Sequence, residues 1–108
     1  MAIYLSNRSQ NVPRDPLLLP AKPPVIIAHR GGRGLWPENT IFAFQRAVDM
    51  GVDALELDVR SSADGELVVL HDERVDRTTD GHGRVQDLSW AEIQDLDAGY
   101  NWTADAGE

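Results

Sequence analysis

Two histidines, each directly after an apolar and β-branched run, are the residues of this sequence best suited to chemistry: His29 and His71. Between them lies an alternating segment in which Glu56 and Asp58 are two residues apart, so on a strand both carboxylates share one face. Adjacent carboxylates resist burial unless a cation lies between them, and a divalent metal, which prefers oxygen ligands, is the usual one. Histidines at neighbouring strand ends could then transfer protons beside that metal.

Each of these residues also has a purely structural interpretation. Glu56 and Asp58 could form the solvent face of a half-buried strand, and a histidine at a strand end is more often structural than catalytic. Two histidines beside a carboxylate pair favour a site, because α/β folds collect functional groups at the carboxyl ends of their strands. A third histidine, His82, lies between glycines in a polar loop and is given no functional role.

Arg30 follows the first histidine directly and precedes a glycine-rich segment at residues 31–34. Its planar guanidinium suits a phosphate, and the neighbouring backbone amides could form an anion-binding nest. It could equally be a surface arginine paired with one of the many acidic residues. The segment matches neither a G-x-G-x-x-G fingerprint nor a Walker loop, so its glycines alone are weak evidence for phosphate binding.

Composition narrows the classes of partner. The chain has 108 residues, enough for one small domain, and its net charge of −8 disfavours nucleic acids and anionic membrane surfaces. It contains no cysteine, which excludes a disulfide framework, a thiol nucleophile and a zinc–thiolate site. No apolar run is long enough to span a bilayer. The first residues lack a secretory signal pattern, which predicts a cytoplasmic location, and the oligomeric state is left open.

The elements that must position these residues begin after a proline-rich arm over residues 1–24, which is predicted to be extended. Residues 25–28 predict a buried strand. A helix follows, capped by Asn39 or Thr40 and stopped by Gly51. Its expected apolar stripe consists of Ile41, Phe44 and Val48.

A strand at about 53–60 completes a strand–helix–strand unit, which predicts that the first two strands are parallel neighbours. The next strand, 67–70, follows too closely for a parallel crossover, so Asp64-Gly65 is interpreted as a hairpin turn. With the turn centred there, Asp58 would lie opposite His71.

Beyond the hairpin the sequence is polar and turn-rich over residues 72–87. Ser89, with Glu92 three residues later, forms a capping-box pattern and predicts a short helix that ends at about Leu96. The remainder, 97–108, has no clear periodicity and is predicted to be a loop.

Several short motifs together resemble the glycerophosphodiester phosphodiesterase family. In chain order they are His29-Arg30-Gly31, Pro37-Glu38-Asn39-Thr40, Glu56-Leu57-Asp58, His71-Asp72, Arg77-Thr78-Thr79-Asp80-Gly81 and the later Leu96-Asp97-Ala98-Gly99. The resemblance runs from about residue 25 to the end of the chain, and the order and spacing of the motifs are specific.

The resemblance implies an α/β fold, a (β/α)8 TIM barrel, with a divalent ion, Ca²⁺ or Mg²⁺. It implies that His29 and His71 act as general acid and base, in an order left open. It also implies that Glu56 and Asp58 bind the metal and that Arg30 holds the substrate phosphate. The implied substrates are small glycerophosphodiesters such as deacylated phospholipids, cleaved in lipid metabolism to glycerol 3-phosphate and an alcohol.

Length limits this interpretation. A (β/α)8 barrel needs about 250 residues, so we expect a partial barrel over residues 25–108, with Thr78 and later residues in or near an insertion at the rim. A third metal ligand would belong to strands outside the chain, which alone is expected to be inactive and marginally stable. The competing interpretations are a truncated, non-catalytic homologue that binds phosphate or a partner through Arg30, and a gene fragment with no role of its own. Asp72 could orient His71 or be a solvated turn residue.

Overall fold

Two small sheets and two helices make up the described part of the chain. A computed structural model describes residues 4–5 and 24–103. The strands are β1 (Tyr4–Leu5), β2 (Ile27–Ala28), β3 (Ala54–Leu55), β4 (Val59–Ser61) and β5 (Leu67–Val69). The helices are α1 (Ile41–Asp49) and α2 (Trp90–Gln94), and 3₁₀ turns occupy His29–Gly31 and Val85–Asp87. The predicted proline-rich arm lies outside the described residues, except for β1 and Pro24.

The first half forms a strand–helix–strand unit. β2 and β3 pair in parallel, with Ile27 opposite Ala54 and Ala28 opposite Leu55, and α1 lies between them in sequence. The predicted parallel neighbours are therefore confirmed. Parallel strands bring their carboxyl ends to one edge of the sheet, and the segments that follow β2 and β3 leave from that edge.

Helix α1 begins where Thr40 caps it, since the Thr40 hydroxyl accepts a hydrogen bond from the backbone N–H of Ala43 at 3.1 Å. Its predicted stripe of Ile41, Phe44 and Val48 is wrong at both ends, because the first and last of these are 48% and 54% exposed. Small residues, Ala43 and Ala47, are buried instead. They allow the helix to approach the 3₁₀ turn closely, and the larger side chains flank the contact.

Close approach of α1 makes Gly31 sensitive to substitution. Gly31 has φ 77°, and a Cβ there would lie 2.8 Å from Cδ1 of Phe44. We expect Gly31→Ala to lower the free energy of unfolding by about 3 kcal/mol, combining a left-handed backbone with an overfilled contact. Urea titration followed by tryptophan fluorescence measures this, with Gly34→Ala as the control because nothing lies within 4 Å of its Cβ position. Equal losses in the two variants would contradict the packing argument.

The predicted single strand at 53–60 is wrong, because the chain changes partners within it. The N–H of Glu56 still donates to the carbonyl of Ala28 in β2, whereas the carbonyl of Asp58 accepts from the N–H of Leu70, next to β5. The segment between Leu55 and Val59 therefore joins one sheet to the other. Both carboxylates of interest lie in this junction.

The hairpin is confirmed, but its register differs from the prediction. β4 pairs antiparallel with β5, with Val59 opposite Val69, so Asp58 lies across from Leu70 rather than His71. The loop explains the shift: the N–H of Ser62 bonds to the carbonyl of Glu66, which leaves three residues in the turn, whereas the prediction assumed two.

A second sheet forms around β5. Its order is β1-β5-β4, and Tyr4–Leu5 pairs antiparallel with β5, a contact that the sequence does not predict. The capping box is confirmed: the Ser89 hydroxyl and the Glu92 carboxylate each bond to the other's backbone N–H. Helix α2 ends at Gln94, two residues before the predicted end.

The apolar core lies between this second sheet and α2. It consists of Val68, Leu70, Val75, Val85 and Ile93, with Leu88, Trp90 and Leu96 packed against it. Two of these valines come from the polar segment at 72–87, which therefore contributes to the core as well as to turns. No helix within the described ranges is long and apolar enough to cross a membrane.

Candidate active site

The first group of candidate residues meets at the carboxyl ends of β2 and β3. The backbone N–H of Arg30 donates to Glu56 Oε2 at 2.8 Å, and His29 Nε2 lies 3.9 Å from the same oxygen. The parallel pairing of β2 and β3 creates this contact, because His29 directly follows β2 and Glu56 directly follows β3. The structure thus brings three of the predicted site residues together.

Arg30 is buried and strained, unlike an ordinary surface arginine. The residue is 7% exposed, and its φ of 52° places a non-glycine backbone in the left-handed region. Nη1 donates to Glu38 Oε1 at 3.2 Å, and Nε lies 3.3 Å from Asp58 Oδ2 without making a hydrogen bond. The guanidinium therefore sits between two carboxylates with one buried donor unsatisfied. Strain of this kind is typical of functional sites.

Asn39 holds Asp58 in place. Its Nδ2 donates to Asp58 Oδ2 at 3.0 Å, and its Oδ1 accepts from the Asp58 N–H at 3.5 Å. Asn39 is 4% exposed, has φ 56°, and donates its own N–H to the carbonyl of Arg30 at 2.9 Å. Sequence reasoning considered Asn39 only as a helix cap. Its place in the Pro37-Glu38-Asn39-Thr40 motif was the available signal for a second role.

The second histidine is held by a separate group of contacts. His71 Nδ1 lies 2.7 Å from Asp72 Oδ1, and Arg60 Nε donates to the His71 carbonyl at 3.0 Å. Of the two interpretations of Asp72, this contact favours the one in which it orients His71. No hydrogen bond or ion pair links His71 to His29, Glu56 or Asp58 among residues 24–103.

Arg77 connects the two groups. Its Nη1 and Nη2 donate to the two carboxylate oxygens of Glu38 at 3.0 and 2.7 Å. Its Nε and Nη2 donate to the two oxygens of Asp72 at 2.7 and 2.9 Å. Glu38 in turn accepts from Arg30, so an unbroken chain of polar contacts runs from Arg30 to His71. The sequence pattern predicts no individual role for Glu38 or Arg77, although each lies within one of the motifs that resemble the family.

Both carboxylates that Arg77 holds are ionised at neutral pH. Hydrogen bonds from Arg77 hold the pKa of Asp72 far below its usual range, against a smaller opposing effect of burial. Burial opposes ionisation of Glu38 more strongly, but the hydrogen bond and charge of Arg77, followed by those of Arg30, keep its pKa below the ordinary value. The same contacts raise the pKa of Arg77. Ionised carboxylates only accept hydrogen bonds, so the Asp72 contact places a proton on His71 Nδ1.

Two carboxylates remain available for a metal ion. One oxygen of each, Glu56 Oε1 and Asp58 Oδ1, has no hydrogen-bond partner within residues 24–103. Hard divalent cations take carboxylate oxygens, so this pair fits part of a Ca²⁺ or Mg²⁺ coordination sphere. No group of three or more His, Cys, Asp or Glu side chains suited to a metal occurs in the described ranges. The remaining ligands would have to be water, substrate or residues outside those ranges.

The architecture and the site are those of an α/β enzyme. Functional groups at the carboxyl ends of parallel strands that a helix joins are typical of such enzymes, in barrels and in open sheets alike. Residues 29–106 match the sequence model of the Glycerophosphoryl diester phosphodiesterase family. The chain belongs to that family.

Known relatives support the assignment. A glycerophosphodiester phosphodiesterase of Caldanaerobacter subterraneus is 57% identical over 75 residues, which are 69% of this chain and 31% of the relative. The crystal structure of the Agrobacterium tumefaciens glycerophosphodiester phosphodiesterase is 49% identical, with a TM-score of 0.71, over 73% of this chain and 34% of that one. An Oleispira antarctica phosphodiesterase, solved with its product sn-glycerol-3-phosphate, is 45% identical with a TM-score of 0.68, over 70% of this chain and 31% of that one.

The share of each relative that matches this chain shows how much of the family's fold the chain contains. The chain spans about a third of the length of the relatives it matches. Its α/β fold corresponds to the N-terminal portion of their TIM barrel and is incomplete as a barrel. The predicted family and fold are confirmed.

Proposed function

We propose that the barrel to which this chain contributes hydrolyses small glycerophosphodiesters to glycerol 3-phosphate and an alcohol. The observation that carries the proposal is the convergence of His29, Arg30 and Glu56 at one edge of the β2–β3 pair. Deacylated phospholipids are the substrate class that fits this chemistry. The product bound to the Oleispira antarctica relative supports the glycerol 3-phosphate half of the substrate.

Arg30 is the proposed phosphate ligand. Negative charge grows on the phosphate oxygens as the nucleophile attacks, and a fixed guanidinium stabilises that charge without rearranging. Its contacts with Glu38 and Asp58 keep the side chain in one position. Within residues 24–103 no hydrogen bond engages Arg30 Nη2, which leaves that nitrogen for the phosphate.

His29 and His71 are the proposed acid and base. One removes a proton from the nucleophile, either water or the glycerol hydroxyl, and the other protonates the leaving alkoxide. The Asp72 contact leaves His71 Nε2 as the ring nitrogen that exchanges a proton with substrate. Glu56 and Asp58 would hold Ca²⁺ or Mg²⁺, which when bound neutralises phosphate charge and lowers the pKa of coordinated water.

The test uses a completed barrel, defined as residues 1–108 followed by the part of the Agrobacterium tumefaciens enzyme that lies beyond its match to this chain. We expect it to release glycerol 3-phosphate from glycerophosphocholine with Ca²⁺ or Mg²⁺ present. We expect no turnover from residues 1–108 alone or from the added part alone, because neither holds the whole site. A folded completed barrel that binds phosphate without turnover would favour the non-catalytic interpretation.

A further inference from the structure

Arg77 makes contacts that the proposed reaction does not itself require. The residue lies in the segment after β5, and its guanidinium donates four hydrogen bonds, two to Glu38 and two to Asp72. Glu38 precedes α1 and is 39 residues away in sequence. A planar guanidinium with several fixed donors can hold two carboxylates in this way, and an ammonium group cannot.

Each carboxylate transmits this constraint to a functional residue. Asp72 Oδ1 lies 2.7 Å from His71 Nδ1. Because an ionised carboxylate only accepts hydrogen bonds, this contact orients the ring and favours the proton on Nδ1. Glu38 accepts from Arg30 Nη1 at 3.2 Å, where the arginine side chain is 9% exposed. Among residues 24–103, no hydrogen bond or ion pair joins Arg77 itself to His71 or to Arg30.

We propose that Arg77 is a positioning residue that holds His71 through Asp72 and Arg30 through Glu38, and so sets the acid–base group and the phosphate ligand relative to each other. This inference rests on the proposed function for its catalytic consequence. Its structural half concerns the ring of His71 and can be measured without turnover.

A second set of the same residue types provides a natural comparison. Arg74 makes a single 3.2 Å hydrogen bond to Asp76, and His82 Nδ1 lies 3.4 Å from that carboxylate. The His82 side chain is 87% exposed, against 42% for His71. Among residues 24–103 no second carboxylate holds Arg74, so we expect a weakly held histidine at position 82 and a firmly held one at position 71.

The first measurement is the tautomer of each ring, from long-range ¹H–¹⁵N correlation spectra of ¹⁵N-histidine-labelled residues 1–108. The chain has three histidines, and His71→Gln assigns the signal of interest. At a pH where the ring is neutral, we expect His71 in the Nδ1–H form alone and His82 as a mixture. Arg77→Gln should convert His71 to a mixture, while the matched variant Arg74→Gln leaves it unchanged.

The second measurement is turnover of the completed barrel. We expect Arg77→Gln to lower kcat about 10- to 100-fold with a smaller change in KM, as other orienting partners do. The kcat of Arg77→Lys should lie between that of the parent and that of Arg77→Gln. If Arg77→Gln does not fold, Arg77→Lys replaces it in both measurements. A single His71 tautomer and kcat within twofold of the parent in the folded variant would overturn the inference. An inactive parent would overturn the proposed function instead, and the tautomer would still decide the role of Arg77.

Discussion

We expect alanine in place of His71 to lower kcat of the completed barrel about 10³-fold, because a positioned proton donor or acceptor contributes about 10² to 10⁴ in rate. His29→Ala should have an effect of the same order. The two losses do not add in the double variant if both groups act in one transition state. Steady-state kinetics with glycerophosphocholine, at saturating metal, measure all three variants.

His82→Ala is the matched control, since its ring is exposed and, among residues 24–103, makes its polar contact with Asp76 alone. A loss of less than tenfold at either His29 or His71 would remove that residue from the acid–base assignment. Substrate choice then separates the two roles. A nitrophenol leaving group departs without a proton, so the variant that lacks the acid recovers most of its rate on a nitrophenyl phosphodiester, and the variant that lacks the base does not.

Removal of the metal is expected to abolish turnover of the completed barrel, and Ca²⁺ or Mg²⁺ should restore it. Glu56→Gln and Asp58→Asn should each lower kcat/KM by at least 10²-fold, because an amide is a weaker ligand than a carboxylate and does not offset phosphate charge. Titration calorimetry gives a second readout, in which both variants bind the ion more weakly than the parent does.

Asp53→Asn is the control for this experiment. Asp53 directly precedes β3, whereas Glu56 directly follows it. Within the part of the chain that the structure describes, the Asp53 carboxylate accepts a hydrogen bond only from the N–H of Ile26. It should bind metal and turn over like the parent. Unchanged metal affinity in Glu56→Gln or Asp58→Asn would show that the ion, if any, lies elsewhere.

Features decided by neighbouring residues could be predicted from the sequence. The Ser89–Glu92 capping box depends on four residues, and the parallel pairing of β2 and β3 follows from the strand–helix–strand order. The predicted helix stripe differs from the buried one because Ala43 and Ala47 carry little hydrophobic signal, yet their small side chains allow the helix to pack closely. The hairpin register depended on one extra loop residue around Gly65, which composition alone does not reveal.

In the candidate site, too, contacts set by local sequence order could be predicted and contacts between distant segments could not. His29, Arg30 and Glu56 meet because His29 and Glu56 directly follow the two strands of a parallel pair and Arg30 follows His29, an arrangement that a sequence pattern can indicate. The contact between Arg77 and Glu38 cannot be read in this way, because nothing local relates two residues 39 positions apart. Both residues lie within motifs that resemble the family, but the motifs do not predict that Arg77 and Glu38 are in contact.

Position 30 places two opposite demands on one residue. The left-handed backbone, with φ 52°, suits glycine, and any other residue costs about 1 kcal/mol there. The buried side chain has to be arginine if phosphate is to be held. Glycine would relieve the backbone, but it would also leave the partly buried carboxylate of Asp58 without its guanidinium and deprive Glu38 of one of its two, a loss that outweighs the gain. Folding stability alone therefore favours arginine at position 30, and its left-handed backbone persists because two carboxylates hold the side chain.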